Sequence, residues 1–256
     1  LAETIESSQA GSAVPSHGAF ALARGAMIGQ YEIEGELGRG GMGEVFAAVH
    51  PLIGKRVAIK VIRSDKASTA GAVERFLQEA RAVNLIRHPN IVDIFAFGSL
   101  PDGRPYLAMD LLVGQTLRDR LQRGPVSLLE LGHIGEGIAR ALQAAHGEGI
   151  VHRDLKPENV FLVDVAGEPP QIKLLDFGLA KLLDRVDLRA DATESGVLLG
   201  TPRYLAPEQA TGSEIGPQTD LYALGAMLFE MCTGQPPFDG RTAIELLAHH
   251  LSSPPP

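Results

Sequence analysis

His152-Arg153-Asp154-Leu155-Lys156-Pro157-Glu158-Asn159 follows an apolar helical pattern and comes shortly before Asp176-Phe177-Gly178. Asp154 has an Asn five residues on, and Asp176 closes a short apolar run. One acid to orient a hydroxyl nucleophile, with an Asn and a second acid to hold a hard divalent cation, is the donor set that phosphoryl transfer requires.

Upstream, Gly38-Arg39-Gly40-Gly41-Met42-Gly43-Glu44-Val45 fits G-x-G-x-x-G-x-V. Glycines let a backbone hairpin lie close over phosphates, where side chains would collide. Alone, this run reads equally well as an ordinary Gly-rich turn. The strand pattern after it and the lysine downstream favour a phosphate loop. A dinucleotide-binding fold is disfavoured, because a strand rather than a helix follows the glycines. Val57-Ala58-Ile59-Lys60 places a lysine at the end of an apolar strand, where it either points to solvent or reaches a buried anion. Glu79 lies 19 residues on, inside a helical pattern.

H-R-D-L-x-x-x-N, D-F-G, G-x-G-x-x-G-x-V and V-A-I-K belong to the protein-kinase signature set. The chain therefore resembles a Ser/Thr protein kinase over residues 31–251, most of all the eukaryotic-like kinases of bacteria. The resemblance implies an α+β, protein-kinase-like two-lobed fold. A small antiparallel β-sheet lobe with one helix would join a larger, mainly helical lobe that is C-terminally incomplete. It divides the chain into a mobile leader (1–27), a nucleotide-binding lobe (31–112), and a catalytic and substrate-binding lobe lacking its last helices (113–256). It implies transfer of the γ-phosphate of Mg-ATP to Ser/Thr hydroxyls, with autophosphorylation of the activation loop. The competing reading is an ATP-binding regulatory or scaffold module, either an inactive fragment or a pseudokinase. The implied cofactors are ATP and Mg²⁺, with Mn²⁺ as an alternative ion.

The resemblance also implies roles. Asp154 would accept the hydroxyl proton, and Lys156 would neutralise charge on the moving phosphate. Lys60 would hold the α- and β-phosphates and Glu79 would position Lys60. Asn159 and Asp176 would be the metal ligands. Gly38, Gly40, Gly43, Val45, Ala58 and Lys60 would line the nucleotide site, with Met109 beside adenine, Asp110 and Leu112 at the purine edge, and a residue near Phe161 or Leu162 on the opposite face. For the apolar members, plain core packing is a competing reading. Thr193 and Ser195, in the 33-residue loop from Asp176 to Glu208, would be regulatory phosphorylation sites paired with Arg153. Thr201 would position the substrate, and Asp220 would hold the catalytic-loop backbone. Glu208 would pair with an Arg that this sequence does not contain. Partners would be proteins with Ser/Thr acceptors, with a homodimer through the small lobe as a further expectation.

The remaining sequence narrows the class. A net charge of −8 argues against a nucleic-acid-binding face. The single cysteine, Cys232, excludes an internal disulfide and is expected as a buried small hydrophobe. No run approaches the ~18 apolar residues of a membrane span, and residues 1–6 carry acids and no basic n-region. A cytoplasmic location is expected. His88, His133, His146 and His152 lack metal-ligand spacing, and His249-His250 is expected on a helix surface. Period-two patterns place strands at 31–37, 45–49, 56–62, 91–97, 106–112, 160–163 and 172–175. Helical spacing places helices at 73–86, after a Ser127/Glu130 capping box, at 220–233 and at 242–251.

Overall fold

The computed structural model describes residues 22–40, 43–63, 84, 86–177 and 202–256. Strands β1 (Met27–Ile28), β2 (Tyr31–Gly40), β3 (Gly43–Val49), β4 (Arg56–Ile62), β5 (Ile94–Ser99) and β6 (Pro105–Asp110) form one antiparallel sheet in the order β1-β2-β3-β4-β6-β5. A second sheet holds β7 (Gly114–Thr116), β8 (Val160–Val163) and β9 (Gln171–Leu174). The helices are α1 (Leu117–Leu121), α2 (Leu128–Gly147), α3 (Pro207–Thr211), α4 (Pro217–Thr233) and α5 (Ala243–Ser252). This is the two-lobed α+β architecture. Among the described residues, no helix is long and apolar enough to cross a membrane.

The large sheet is covered on both sides. In β4, every position from Val57 to Ile62 is buried. Val57, Ile59 and Val61 face a core shared with Ile33, Phe46 and Tyr106. Ala58 and Ile62 turn to the other side, with Leu107 and Met109, and join the core of the helical lobe. Residues two apart in a strand point the same way, so Lys60 shares that inter-lobe side.

Local chemistry sets the element ends. Ser127 caps α2 by accepting from Glu130 N (3.2 Å), but the Glu130 carboxylate goes to Arg120 (2.7 Å), so the expected reciprocal box is only half made. Helix α4 begins at Pro217, a residue suited to a first turn, and ends at Gly234 with φ +79°. Thr242 caps α5 by accepting from Glu245 N (3.1 Å). Helix α2 lies close on β9 at Gly137, where a Cβ would come within 2.7 Å of Ile172.

Several boundaries differ from expectation. The expected leader stops short of residue 27. Gly25 N donates to Ile33 O, Ile33 N to Ala26 O, and Met27–Ile28 pairs with β2; residues 1–21 lie outside the described residues. Strand β2 runs on to Gly40, because Gly38 and Gly40 continue the ladder opposite Val45 and Gly43 without the side chains that make a pattern readable. The strand expected at 91–97 is displaced to Ile94–Ser99. The residues before it are drawn to β9: Leu174 N donates to Asn90 O (2.8 Å), and Val92 N to Leu174 O (3.0 Å). The strand expected at 106–112 ends at Asp110, whose N–H turns to Asp93 O (3.1 Å). The helix expected at 73–86, with Glu79, lies outside the described residues apart from Asn84 and Ile86.

Two side-chain expectations are corrected. Cys232 is exposed. Met227, Glu230 and Met231 take the inward positions of α4, and Cys232 falls about 100° further round. His250 is buried, hydrogen-bonded to the Tyr222 hydroxyl (2.7 Å) with the Phe238 ring edge-on to it, so only its neighbour His249 is partly open.

The glycines of the expected phosphate loop divide. A Cβ at Gly38 or Gly40 meets nothing within 4 Å, whereas one at Gly43 would sit 2.0 Å from the Val61 carbonyl oxygen of β4. Gly43→Ala should therefore cost about 1–3 kcal/mol through overpacking against backbone. Gly40→Ala should leave the unfolding temperature nearly unchanged. Thermal melts of the two variants, without nucleotide, check this; equal melting temperatures would refute it.

Candidate active site

The β8–β9 hairpin assembles the candidate site. Val160 pairs with Leu174, so the residue before β8 and the residues after β9 lie side by side. Leu175 N donates to Asn159 O (2.9 Å), which brings Asn159 and Asp176 to one end of the hairpin although they are far apart in sequence. The 3₁₀ turn Pro157–Asn159 leads directly into β8. Asn159 is buried, and its amide donates to Asp154 O (2.8 Å) and Asp154 Oδ2 (3.2 Å). Lys156 Nζ also reaches Asp154 Oδ2 (2.7 Å). Because the Asn159 nitrogen is spent on Asp154, its Oδ1 is the atom left for a cation.

The segment that carries Asp154 is held from below. Asp220, on α4 and 1% exposed, accepts His152 N at Oδ2 and Arg153 N at Oδ1, both at 2.8 Å. Gln209 Nε2 donates to Arg153 O (2.8 Å). Arg153 takes a left-handed conformation, φ +64°. A non-glycine residue there costs on the order of 1–3 kcal/mol, and the carboxylate beneath it offsets that strain. His152 is fully buried, and burial holds its imidazole below the ordinary value, so it is neutral. Its Nε2–H donates to Leu175 O (2.9 Å), and its ring lies 4.6 Å from the Phe177 ring. The catalytic-loop candidate and the Asp176 segment are thereby joined through one histidine.

Lys60 crosses from the small lobe to meet Asp176 Oδ2 at 2.6 Å. Asp176 is the second non-glycine residue with positive φ (+53°) among the described residues. Burial opposes ionisation of its carboxyl, but the Lys60 ammonium beside it outweighs burial and holds it below the usual carboxylate range.

These features match a known pattern. A model of the protein kinase domain matches residues 31–253. The chain belongs to the protein kinase family. Serine/threonine-protein kinase Pkn1 of Myxococcus xanthus is 45% identical over 233 residues, covering 91% of this chain and 33% of Pkn1. PknA of Mycobacterium tuberculosis is 39% identical over 235 residues, covering 90% of this chain and 53% of PknA. The chain thus spans between a third and about half of these two relatives. The crystal structure of the Mycobacterium tuberculosis PknI kinase domain (a double mutant) superposes with a TM-score of 0.70 at 27% identity, covering 92% of each chain.

Within this kinase domain, Lys60, Asp154, Lys156, Asn159 and Asp176 converge where the two lobes meet. Val45, Ala58 and Met109 lie on the Lys60 side of the sheet, with Leu112 packed against the same core. Leu162 is in that core, while Phe161 is half-buried. Asp110 ends β6, paired with Val57, and gives its N–H to Asp93 O (3.1 Å). Gly38 and Gly40 have open space above them, and Gly43 is packed on β4. Glu79, Thr193, Ser195 and Thr201 lie outside the described residues. Glu208 accepts from Thr219 Oγ1 (2.5 Å).

Sequence reasoning missed a second charged group. Arg118, on α1, donates to Glu158 Oε1 (2.9 Å), to Glu230 Oε1 (2.8 Å) and to the Tyr204 hydroxyl (2.5 Å). Burial first, and then the Glu230 carboxylate, push the Tyr204 phenol well up, so it stays protonated and donates to Glu230. Nothing in the pattern around Arg118 announces this, because its three partners come from distant segments.

Two tests follow from this geometry. The depressed Asp176 carboxyl stabilises the fold above the ordinary carboxylate value, and that contribution is lost as pH falls through the depressed one. A carbon-13 NMR titration should place the Asp176 midpoint below its ordinary 3.8 in the parent and higher in Lys60→Met; equal midpoints would mean the pair does not form. Arg118→Leu strands the buried Glu230 charge and should lower unfolding free energy by about 3–5 kcal/mol in denaturant melts. Glu158→Gln, on the exposed side, should cost less than about 1 kcal/mol.

Proposed function

We propose that this chain is the catalytic domain of a Ser/Thr protein kinase that transfers the γ-phosphate of ATP to hydroxyls of protein substrates. The observation that carries the reading is the meeting of Lys60 and Asp176 across the lobes beside the Asp154–Lys156–Asn159 cluster. Relatives named as serine/threonine-protein kinases support it.

In this reading Asp154 accepts the substrate hydroxyl proton and aligns the oxygen. Lys156 and Asn159 both bond its Oδ2, which fixes the orientation of the carboxylate. Lys156, already at the reacting end, balances charge on the phosphate in flight. Lys60 exchanges Asp176 for the α- and β-phosphates when nucleotide enters. Asn159 and Asp176 would hold Mg²⁺, which when bound neutralises charge between the phosphates. The open space at Gly38 and Gly40 admits phosphates close to backbone. Ala58, Val45 and Met109 offer the apolar side of an adenine pocket, and the Asp110 carbonyl and the Leu112 main chain its polar edge. Phosphorylation at Thr193 or Ser195 would supply charge for the Arg153 guanidinium, ordering the loop before Glu208.

Intact mass and peptide mapping after incubation with Mg-ATP test the reading. The parent should gain phosphate at Thr193 or Ser195. Asp154→Asn should slow the gain by roughly 10²–10⁴-fold while still binding ATP. ATP binding without any transfer by the parent would instead support the scaffold reading.

A further inference from the structure

We propose that Arg203 is a specificity-determining residue: its guanidinium receives an Asp or Glu side chain of the acceptor protein, near the hydroxyl to be phosphorylated. This rests on the kinase reading above and narrows it to acceptors with an acidic neighbour.

Residues 202–205 form a turn, closed by Leu205 N donating to Pro202 O (3.2 Å), with Arg203 and Tyr204 at its centre. The turn is tied to the Asp154 loop on two sides. Tyr204 bonds inward to Glu230 and Arg118, and Arg118 reaches on to Glu158, which lies between Asp154 and Asn159. Just past the turn, Gln209 Oε1 accepts from Ala206 N (3.2 Å) while its Nε2 donates to Arg153 O (2.8 Å). A hydroxyl delivered to Asp154 must therefore arrive with its neighbours passing this turn. Pro202, Tyr204 and Ala206 are buried, which leaves half-buried Arg203 as the charged side chain of the turn that an arriving chain can meet.

The guanidinium is under-used. Among the described residues its one charged partner is Asp239, with Nη2 and Oδ1 3.6 Å apart, too far for a hydrogen bond. That same Oδ1 accepts from Gly240 N (3.0 Å), and the Asp239 side chain is 76% exposed, so its own turn and solvent hold it. Arg203 Nε is buried and has no partner. An unmade buried donor carries a desolvation cost, and the planar fork of an arginine matches the two oxygens of a carboxylate. A small swing of the side chain brings Nε and Nη2 onto one such group and satisfies both. Asp239 is then a weak internal competitor, which an acid on the acceptor displaces; a lysine or arginine at the same place is repelled.

Synthetic peptides with a single Thr acceptor in an Ala, Gly and Gln background, differing only in where one Glu stands, test this with Mg-ATP. At one position Glu should raise kcat/KM of the parent roughly 5–20-fold over the neutral peptide. Arg203→Gln should bring that ratio close to one, and Arg203→Glu should turn the preference to Lys at the same position. Asp239→Asn, a change on the exposed side, should raise the ratio above that of the parent. The ratio compares peptides on one protein, so a general loss of activity leaves it intact. A parent indifferent to Glu at every position, or Arg203→Gln with the parent's ratio, would overturn the proposal. So would an equal fall for all peptides in Arg203→Gln, which marks a role in the turn itself. A parent that phosphorylates no peptide would count against the kinase reading. Fluorescence anisotropy of the labelled Glu series and its neutral counterpart, on parent and Arg203→Gln, would then decide separately whether Arg203 holds the carboxylate.

Discussion

Asp220 places a carboxylate inside an apolar helix, where a charge without partners would cost several kcal/mol. Its partners are the backbone of His152 and Arg153 and the ring of His146. That requirement runs both ways. The charge is tolerable only if the loop lies over it, and the loop keeps its left-handed residue only if the charge lies beneath. From there the order spreads. His152 passes it to Leu175 and Phe177, Asn159 to Asp154 and Leu175, and Lys60 to Asp176 from the other lobe. The catalytic-loop candidate, the metal-ligand candidates and the inter-lobe pair are thus parts of one polar network on a helical base.

What could be read in advance was whatever local periodicity or a short motif encodes. The β4 strand and the α4 and α5 helices follow from apolar spacing, and β8 and β9 from two short runs around a turn rich in Gly and Pro. Asp154, Asn159 and Asp176 stand in recognisable runs. What could not be read was competition between distant partners. Residues 91–93 carry a strand pattern, yet β9 captures Asn90 and Val92. Glu130 has the spacing of a capping box, but Arg120 takes its carboxylate. Cys232 and His250 each sit in apolar helices, and their opposite fates depend on which face meets a neighbour. Arg118 has no local signal at all, since its partners are Glu158, Tyr204 and Glu230.

The two faces of the large sheet serve different ends. One is a self-contained core with Tyr106 and Phe46, and the other opens toward the helical lobe and carries Lys60. Packing on the first face keeps the sheet in register. That register in turn sets where the ammonium on the second face can reach, so the sheet's own core acts on the site without touching it.

The β8–β9 hairpin has a consequence for how freely such a domain can vary. Asn159 and Asp176 meet because Val160 pairs with Leu174, and the connecting turn at residues 164–170 lies on the solvent side. Loop closure grows only slowly more costly with length. The turn can therefore lengthen, shorten or accept an inserted peptide while the two ligand candidates stay together. Their distance along the chain is an accident of the turn; their distance in space is a property of the ladder.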